Sequence, residues 1–322
     1  MHTSTSPQYS IIASCDVAAA MMEAPGGTSL VEESILEALD FRRAMRKIDQ
    51  EWGKDWWFQV WGPESFAEDG IGSREDWMIR AEDDWHGFGN LAPGFNMLDP
   101  IKATIVTPGL SINGIFSETG IPASIVTKYL AEHGVIVEKA GLYSFFIMFT
   151  IGITKGRWNT LLTALQQFKD DYDKNQPVWR ILPEFTAANP HYERVGLRDL
   201  CQQIHSMYKS YDVARLTTEM YLSDMQPAMK PSAAFAKMAH RDIDRVSIDE
   251  LEGRVTAILL TPYPPGIPLL IPGERFNATI VDYLKFARDF NEKFPGFETD
   301  VHGLVTSDKD GAKGYFVDCV RQ

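Results

Sequence analysis

The stretch IPASIVTKYLAEHGVIVEKAGLYSFFIMFT, residues Ile121–Thr150, decides the fold of this chain. Its apolar spacing predicts one helix followed by two short strands, at Ile121–His133, Val135–Val137 and Ser144–Thr150. A further strand is predicted before it, at Lys102–Thr107, and a further helix after it, at Lys155–Tyr172. The resulting order, strand–helix–strand–strand–helix, indicates an α+β layer in which helices cover one side of a mostly antiparallel sheet.

A long amphipathic helix is predicted before this layer. Ser29-Leu30-Val31-Glu32 has the form of a capping box at its start. The apolar side chains that follow recur at spacings of three and four: Val31, Ile35, Ala38, Phe41, Met45 and Ile48. Residues 55–61, rich in tryptophan, are predicted to form a strand, and residues 64–96, rich in acidic residues and glycine, to be mostly loop.

The pattern changes after Pro177 to short helices, with a domain boundary predicted near residues 174–180. These helices are predicted at Leu197–Tyr211, Val213–Leu222 and Ser232–Ala239. A strand at Val255–Leu260, a proline-rich turn around Tyr263 and a helix at Ile280–Phe290 follow. The chain has no internal repeat.

Composition limits the classes of function. The 322 residues carry a formal charge of −13, which argues against nucleic acid as a partner because phosphate binding needs a basic surface. No apolar run approaches a membrane span, and no signal-peptide pattern opens the chain. The three cysteines (Cys15, Cys201 and Cys319) and seven histidines suggest neither a disulfide framework nor a metal site. A cytoplasmic location is therefore predicted.

A run of hydroxyl residues, His2-Thr3-Ser4-Thr5-Ser6-Pro7, precedes a predicted helix from Gln8 to Met22. Proline is favoured at a first helical position, which makes Ser6 the predicted N-cap. The free amides and the positive end of the helix dipole would then form a seat for a phosphate. The alternative is an ordinary capped helix whose hydroxyls bond locally.

Several segments together resemble one family, the bacterial fold-type-I pyridoxal-phosphate (PLP) decarboxylases of arginine, lysine and ornithine. They fall in family order and cover essentially the whole chain. The matching segments are 2–7 (HTSTSP), 85–88 (WHGF), 98–100 (LDP), 134–139 (GVIVEK), 262–266 (PYPPG) and 294–303 (FPGFETDVHG). Residues 142–146 and 152–159 look most like the acid-inducible arginine decarboxylases, which implies conversion of arginine to agmatine and CO2 during acid stress. Lysine or ornithine is the alternative substrate.

The resemblance implies an α/β and α+β fold in three parts. Residues 1–23 would be the tail of an aminotransferase-like PLP-binding major domain, residues 24–176 a small α+β domain and residues 177–322 the C-terminal domain. Members of the family assemble as homodimers and often as decamers. A non-catalytic interaction module that pairs with full-length subunits is the rival interpretation.

The family's PLP lysine is absent from this sequence. In the family it lies in a Ser-x-His-Lys motif shortly before the position of His2, and no His-Lys pair occurs here. PLP acts as an electron sink only when a lysine holds it. The isolated chain is therefore predicted to be inactive, with no catalytic residue of its own.

The resemblance assigns two binding roles. Ser4, Thr5 and Ser6 would reach the cofactor phosphate across a dimer interface, which agrees with the anion seat described above. Glu138 would bind the distal amino group of a basic amino acid from a partly shielded strand end, through charge-assisted hydrogen bonds. Without the resemblance, Glu138 and Lys139 have the pattern of a surface charge pair.

The remaining notable side chains favour structural roles. Trp52, Trp56, Trp57 and Trp61 are predicted to pack in the core, and His86 to be a hydrogen-bonded structural histidine. Tyr263 and its prolines predict a rigid turn. We assign no site role to Glu274, Glu298 or His302.

Overall fold

The computed structural model describes residues 8–89, 91–263, 265–309 and 312–321. The chain forms two compact units: unit 1 comprises residues 1–106 and 146–166, and unit 2 comprises residues 107–145 and 167–322. These bounds differ from the predicted domains 1–23, 24–176 and 177–322, which stay a prediction.

The fold is a mixture of helices and strands, as the sequence predicts. The helices are α1 Tyr9–Met21, α2 Gly26–Trp52, α3 Ala123–Glu132, α4 Lys155–Asp173, α5 Val178–Ile181, α6 Pro183–Ala188, α7 Leu197–Ser210, α8 Val213–Leu222, α9 Pro231–Ala239 and α10 Ala278–Lys293. The strands are β1 Gln59–Val60, β2 Lys102–Val106, β3 Lys139–Ala140, β4 Ser144–Met148, β5 Ile243–Ser247, β6 Thr261–Tyr263, β7 Asp300–His302, β8 Val305–Lys309 and β9 Ala312–Val320. None of the helices in the described ranges is long and apolar enough to cross a membrane.

Unit 1 is organised around α2. Its predicted amphipathic face is confirmed over Ala38, Phe41 and Met45, which are buried, but not at Val31, which is 41% exposed. The predicted capping box is wrong: the helix begins at Gly26, directly after Pro25, and no side chain caps it. β1 pairs with β2 in antiparallel register, and residues 64–96 are mostly irregular, as predicted.

The first helix is present but shorter than predicted. α1 begins at Tyr9 with Gln8 at the N-cap position, and Gln8 makes no side-chain cap. None of the residues of α1 is buried. The predicted N-cap, Ser6, lies outside the described residues.

Unit 2 contains a sheet that the sequence analysis missed. β9 lies between β5 and β8, and both pairings are antiparallel. β5 carries charged side chains within the strand, and Arg245 pairs with Asp318 on β9, its Nε lying 2.9 Å from Oδ1. Charge pairs between neighbouring strands stabilise a sheet. The charged residues also interrupt the apolar alternation from which a strand is predicted, so β5 was not recognised in the sequence. The predicted strand Val255–Leu260 is wrong, because its residues form only isolated bridges.

Candidate functional site

Only one of the two predicted binding elements can be placed in the structure. Ser4, Thr5 and Ser6 lie outside the described residues, so their role in phosphate binding stays a prediction. Glu138 lies in unit 2, in the segment that follows α3.

The end of α3 directs this segment away from the helix. Gly134 has φ 77°, and its N–H donates to the Ala131 carbonyl at 3.1 Å. The next N–H, from Val135, donates to the Leu130 carbonyl at 2.9 Å. These two bonds form a Schellman motif, in which glycine at the left-handed position ends the helix and reverses the chain.

The predicted buried strand Val135–Val137 is wrong. These residues belong to no strand, Ile136 is 88% exposed, and the strand β3 begins only at Lys139. The apolar run indicated burial, yet within the described part of the chain nothing covers Ile136. Periodicity alone does not separate a buried strand from an uncovered apolar segment.

Glu138 lies at the bend before β3 and is exposed, so the predicted partial shielding at a strand end is also wrong. No hydrogen bond or ion pair occupies its carboxylate in the ranges that the structure covers. Its neighbour Lys139 donates instead from Nζ to the Pro265 carbonyl at 2.7 Å. The Glu138–Lys139 charge pair therefore does not form, and the carboxylate can accept hydrogen bonds from a ligand.

The turn that accepts this bond from Lys139 is closed by its own backbone. Gly266 has φ 77°, and its N–H donates to the Pro262 carbonyl at 2.8 Å. A Cβ at Gly266 would lie 2.9 Å from the Tyr263 ring, so only glycine lets the ring lie over the turn. Tyr263 remains 60% exposed. The predicted turn is present with its aromatic ring largely exposed, and its rigidity stays a prediction.

Two polar side chains of β7 flank this ring. Val301 is buried, whereas Asp300 and His302 point to the opposite, exposed face of the strand. The His302 Nε2 lies 2.9 Å from the Asp300 Oδ2, and the His302 ring centroid lies 6.1 Å from that of Tyr263. Glu298 and Glu274 have local structural roles, since each carboxylate accepts a hydrogen bond from a nearby backbone N–H.

Unit 2 contains a buried polar pair, Tyr143 and His205, that was not predicted from the sequence. His205 is 0% exposed, and its Nε2 lies 3.2 Å from the Ser117 carbonyl. A carbonyl only accepts hydrogen bonds, so Nε2 carries the hydrogen and Nδ1 accepts from the Tyr143 hydroxyl at 2.6 Å. Burial lowers the pKa of His205, although the bond to Ser117 opposes this effect. Burial likewise raises the pKa of Tyr143, so both groups are neutral near pH 7.

The structural role predicted for His86 is confirmed, whereas the predicted core packing of the tryptophans holds only in part, because Trp52 is 36% exposed. The His86 Nδ1 accepts from the Phe88 N–H at 2.9 Å while Nε2 donates to the Arg80 carbonyl at 2.7 Å. Trp56 is buried and forms a T-shaped pair with Phe58, and the Trp61 indole donates to the Trp85 carbonyl at 2.9 Å.

One buried lysine, Lys169, lies in unit 2. A PLP lysine must present its amine to the cofactor aldehyde. Lys169, the lysine buried to 6% exposure, pairs with Asp173 on the same helix, and the sequence has no His-Lys pair. Within the covered ranges, no cluster of three or more His, Cys, Asp or Glu side chains is placed to hold a metal ion.

Two family models match the chain. The Orn/Lys/Arg decarboxylase major-domain model matches residues 1–157, and the C-terminal-domain model of the same family matches residues 214–321. The chain therefore belongs to the Orn/Lys/Arg decarboxylase family.

Individual relatives indicate which member it resembles. The chain is 49% identical over 328 residues to lysine decarboxylase LdcA of Pseudomonas aeruginosa, covering 100% of this chain and 44% of that protein. It is 35% identical over 342 residues to the biodegradative arginine decarboxylase of Escherichia coli, covering 100% of this chain and 45% of that protein. The solved structure of lysine decarboxylase A from Pseudomonas aeruginosa matches with a TM-score of 0.94 and 50% identity, over 100% of this chain and 44% of that one. The chain thus spans less than half the length of these relatives.

The prediction of an arginine enzyme is not supported by these identities. The alternative of lysine fits better, because the lysine decarboxylase is 49% identical and the arginine decarboxylase 35%. The prediction of arginine rested on the segments 142–146 and 152–159, which are short.

Proposed function

We propose that this chain is the carboxyl-terminal portion of a PLP-dependent lysine decarboxylase, a carboxy-lyase that releases CO2 from lysine. The observation that carries the proposal is the 49% identity to a lysine decarboxylase over the whole chain, against 35% for an arginine decarboxylase. Ornithine remains the alternative substrate within the family.

Glu138 is the proposed contact for the side-chain ammonium of the substrate. Its carboxylate has no partner among the described residues, while Lys139 is committed to Pro265. A carboxylate and an ammonium form a charge-assisted hydrogen bond, which is about twice as strong as a neutral one. The bond would orient the lysine by its distal end and leave its α-carbon to the cofactor.

PLP, when bound, supplies the electron sink for loss of CO2. We propose that Ser4, Thr5 and Ser6 contribute to its phosphate seat and that the anchoring lysine belongs to residues outside this chain. The isolated chain should then bind no PLP covalently and release no CO2. Assembly as a homodimer or larger homo-oligomer, a cytoplasmic location and the three-part domain division are parts of the same proposal.

A chimera tests the substrate assignment. This chain replaces the corresponding 44% of lysine decarboxylase LdcA, to which it is 49% identical. We expect PLP-loaded chimera to release CO2 from lysine at a higher kcat/KM than from arginine or ornithine. A chimera that binds PLP but prefers arginine would overturn the lysine assignment. One that binds PLP and releases CO2 from none of the three would overturn the decarboxylase proposal.

A further inference from the structure

A cavity in unit 2 has an organised polar lining that the proposed function does not use. Its volume is about 300 Å³, at the lower limit of pockets that hold small molecules. It lies among the end of α3, the second half of α4 and the segment formed by α5 and α6. The lining residues are Tyr129, Glu132, His133, Gln167, Asp171, Arg180, Ile181 and Pro183.

One wall is an aromatic stack with a fixed orientation. The rings of Tyr129 and His133 lie parallel within 20°, with centroids 4.1 Å apart. The His133 Nδ1 donates to the Tyr129 carbonyl at 2.8 Å, because a carbonyl can only accept. The opposite ring nitrogen, Nε2, therefore keeps its lone pair for another donor whenever the ring is neutral.

Two carboxylates are held in place on the other walls. Asp171 Oδ2 accepts the Tyr129 hydroxyl at 3.0 Å, and burial followed by the charge of Asp171 raises the pKa of that hydroxyl above its usual range. Glu132 accepts the Phe185 N–H at 2.8 Å and lies 3.4 Å from the Glu184 N–H. Each carboxylate has four acceptor positions, so both retain capacity for a ligand cation.

Arg180 supplies the opposite charge. Its guanidinium is exposed, and its side-chain hydrogen bond is a long one, 3.4 Å to Gln176 Oε1. Among the residues that the structure describes, no carboxylate lies within ion-pair distance of it. The Gln167 amide, which also lines the cavity, has no hydrogen-bond partner in those ranges. A guanidinium with free N–H groups binds a carboxylate through two parallel hydrogen bonds.

We propose that this cavity binds a small zwitterion of the amino-acid class, with its carboxylate on Arg180 and its ammonium on Asp171 and Glu132. A simple anion fits less well, because two acidic residues line the same cavity. A simple cation fits less well, because it leaves Arg180 unpaired. The site contains neither Glu138 nor the turn at Gly266, so it is a second site and does not rest on the proposed decarboxylation.

Binding of L-lysine to this chain, measured by isothermal titration calorimetry at pH 7, tests the proposal directly. We expect one molecule to bind per chain and Arg180→Gln to weaken binding at least tenfold. Arg194→Gln, which removes another exposed arginine of unit 2, should leave the affinity unchanged. Cadaverine, which lacks the carboxylate, should bind the parent chain as weakly as lysine binds the Arg180→Gln variant.

The Glu138→Gln variant separates this site from the proposed substrate site. Binding that survives Glu138→Gln and is lost in Arg180→Gln supports the cavity. Binding that is lost in Glu138→Gln and survives Arg180→Gln overturns the proposal while leaving the decarboxylase assignment intact. The absence of saturable binding to the parent chain up to millimolar lysine also overturns it.

Discussion

Arg42 in unit 1 and Glu138 in unit 2 are charged side chains in opposite environments. Arg42 is 4% exposed, and its guanidinium lies within hydrogen-bond distance of the carbonyls of Trp61, Lys102 and Pro100, at 3.0, 2.9 and 3.4 Å. Glu138 is exposed, without a partner in the described ranges. A buried charge is tolerated only when its hydrogen bonds are made, so we expect the Arg42 hydrogen bonds to contribute to the free energy of unfolding. An exposed charge without partners contributes little to folding and is available to a ligand.

Removal of the buried guanidinium should have the largest effect on stability. Burial lowers the pKa of Arg42 to about 10, because removal from water disfavours its charged form. Arg42→Met keeps much of the volume but leaves three carbonyls without this donor. We expect the free energy of unfolding to fall by about 3–5 kcal/mol. Urea unfolding followed by circular dichroism measures it.

The matched control for this change is Arg157→Met, which alters an exposed arginine of the same unit. Surface substitutions usually change stability by less than about 0.5 kcal/mol. Equal losses in the two variants would contradict the contrast between buried and exposed charge.

The Tyr143–His205 pair is an intermediate case, buried but uncharged. Tyr143→Phe keeps the ring and removes the hydroxyl that donates to His205 at 2.6 Å. We expect a loss of about 1–3 kcal/mol, because a buried acceptor is left without its donor. Tyr263→Phe removes an exposed hydroxyl and should leave the denaturation midpoint unchanged. A neutral result for Tyr143→Phe would show that the pair adds nothing to folding.

The same pair predicts a pH dependence. Because burial lowers the pKa of His205 in the folded state, the unfolded chain binds its proton first as pH falls. The contribution of His205 to stability is therefore complete above the unfolded pKa of about 6.5 and is lost progressively below it, by at most about 1.4 kcal/mol per pH unit. Unfolding curves between pH 7.5 and 5.5 for the parent and His205→Gln measure this difference. Parallel pH profiles for the two proteins would contradict the prediction.

The sequence predicted best those elements whose apolar pattern is local. α2, α4 and α8 lie close to their predicted positions, because each carries an uninterrupted amphipathic repeat. The sheet formed by β5, β8 and β9 was missed, since charged residues interrupt the apolar pattern of β5 and its pairing partner β9 is distant in sequence. The exposure of Ile136 was also missed, because an apolar run does not reveal whether anything covers it.

In the candidate site, too, local sequence patterns did not reveal the long-range contacts. Glu138 was identified by resemblance to a family motif, whereas the residues alone suggested a charge pair with Lys139. The structure separates the two side chains, because Lys139 bonds to Pro265, 126 positions along the chain. Long-range contacts of this kind, like the bond between Tyr143 and His205, leave no signal in local spacing.

Glu138→Gln should have the smallest effect on folding. The substitution is nearly isosteric and breaks no hydrogen bond among the described residues. We expect the free energy of unfolding to change by less than about 0.5 kcal/mol. Urea unfolding of this chain checks it, and a loss as large as that of Arg42→Met would mean that the carboxylate serves the fold.

The role of Glu138 is tested most directly by measuring how tightly the PLP-loaded chimera with LdcA binds lysine, with and without the substitution Glu138→Gln. Loss of a hydrogen bond to a charged group should weaken lysine binding by about 1.5–3 kcal/mol, or roughly 10- to 150-fold, at unchanged stability. An unchanged affinity in a chimera that still folds and holds PLP would contradict the role assigned to Glu138.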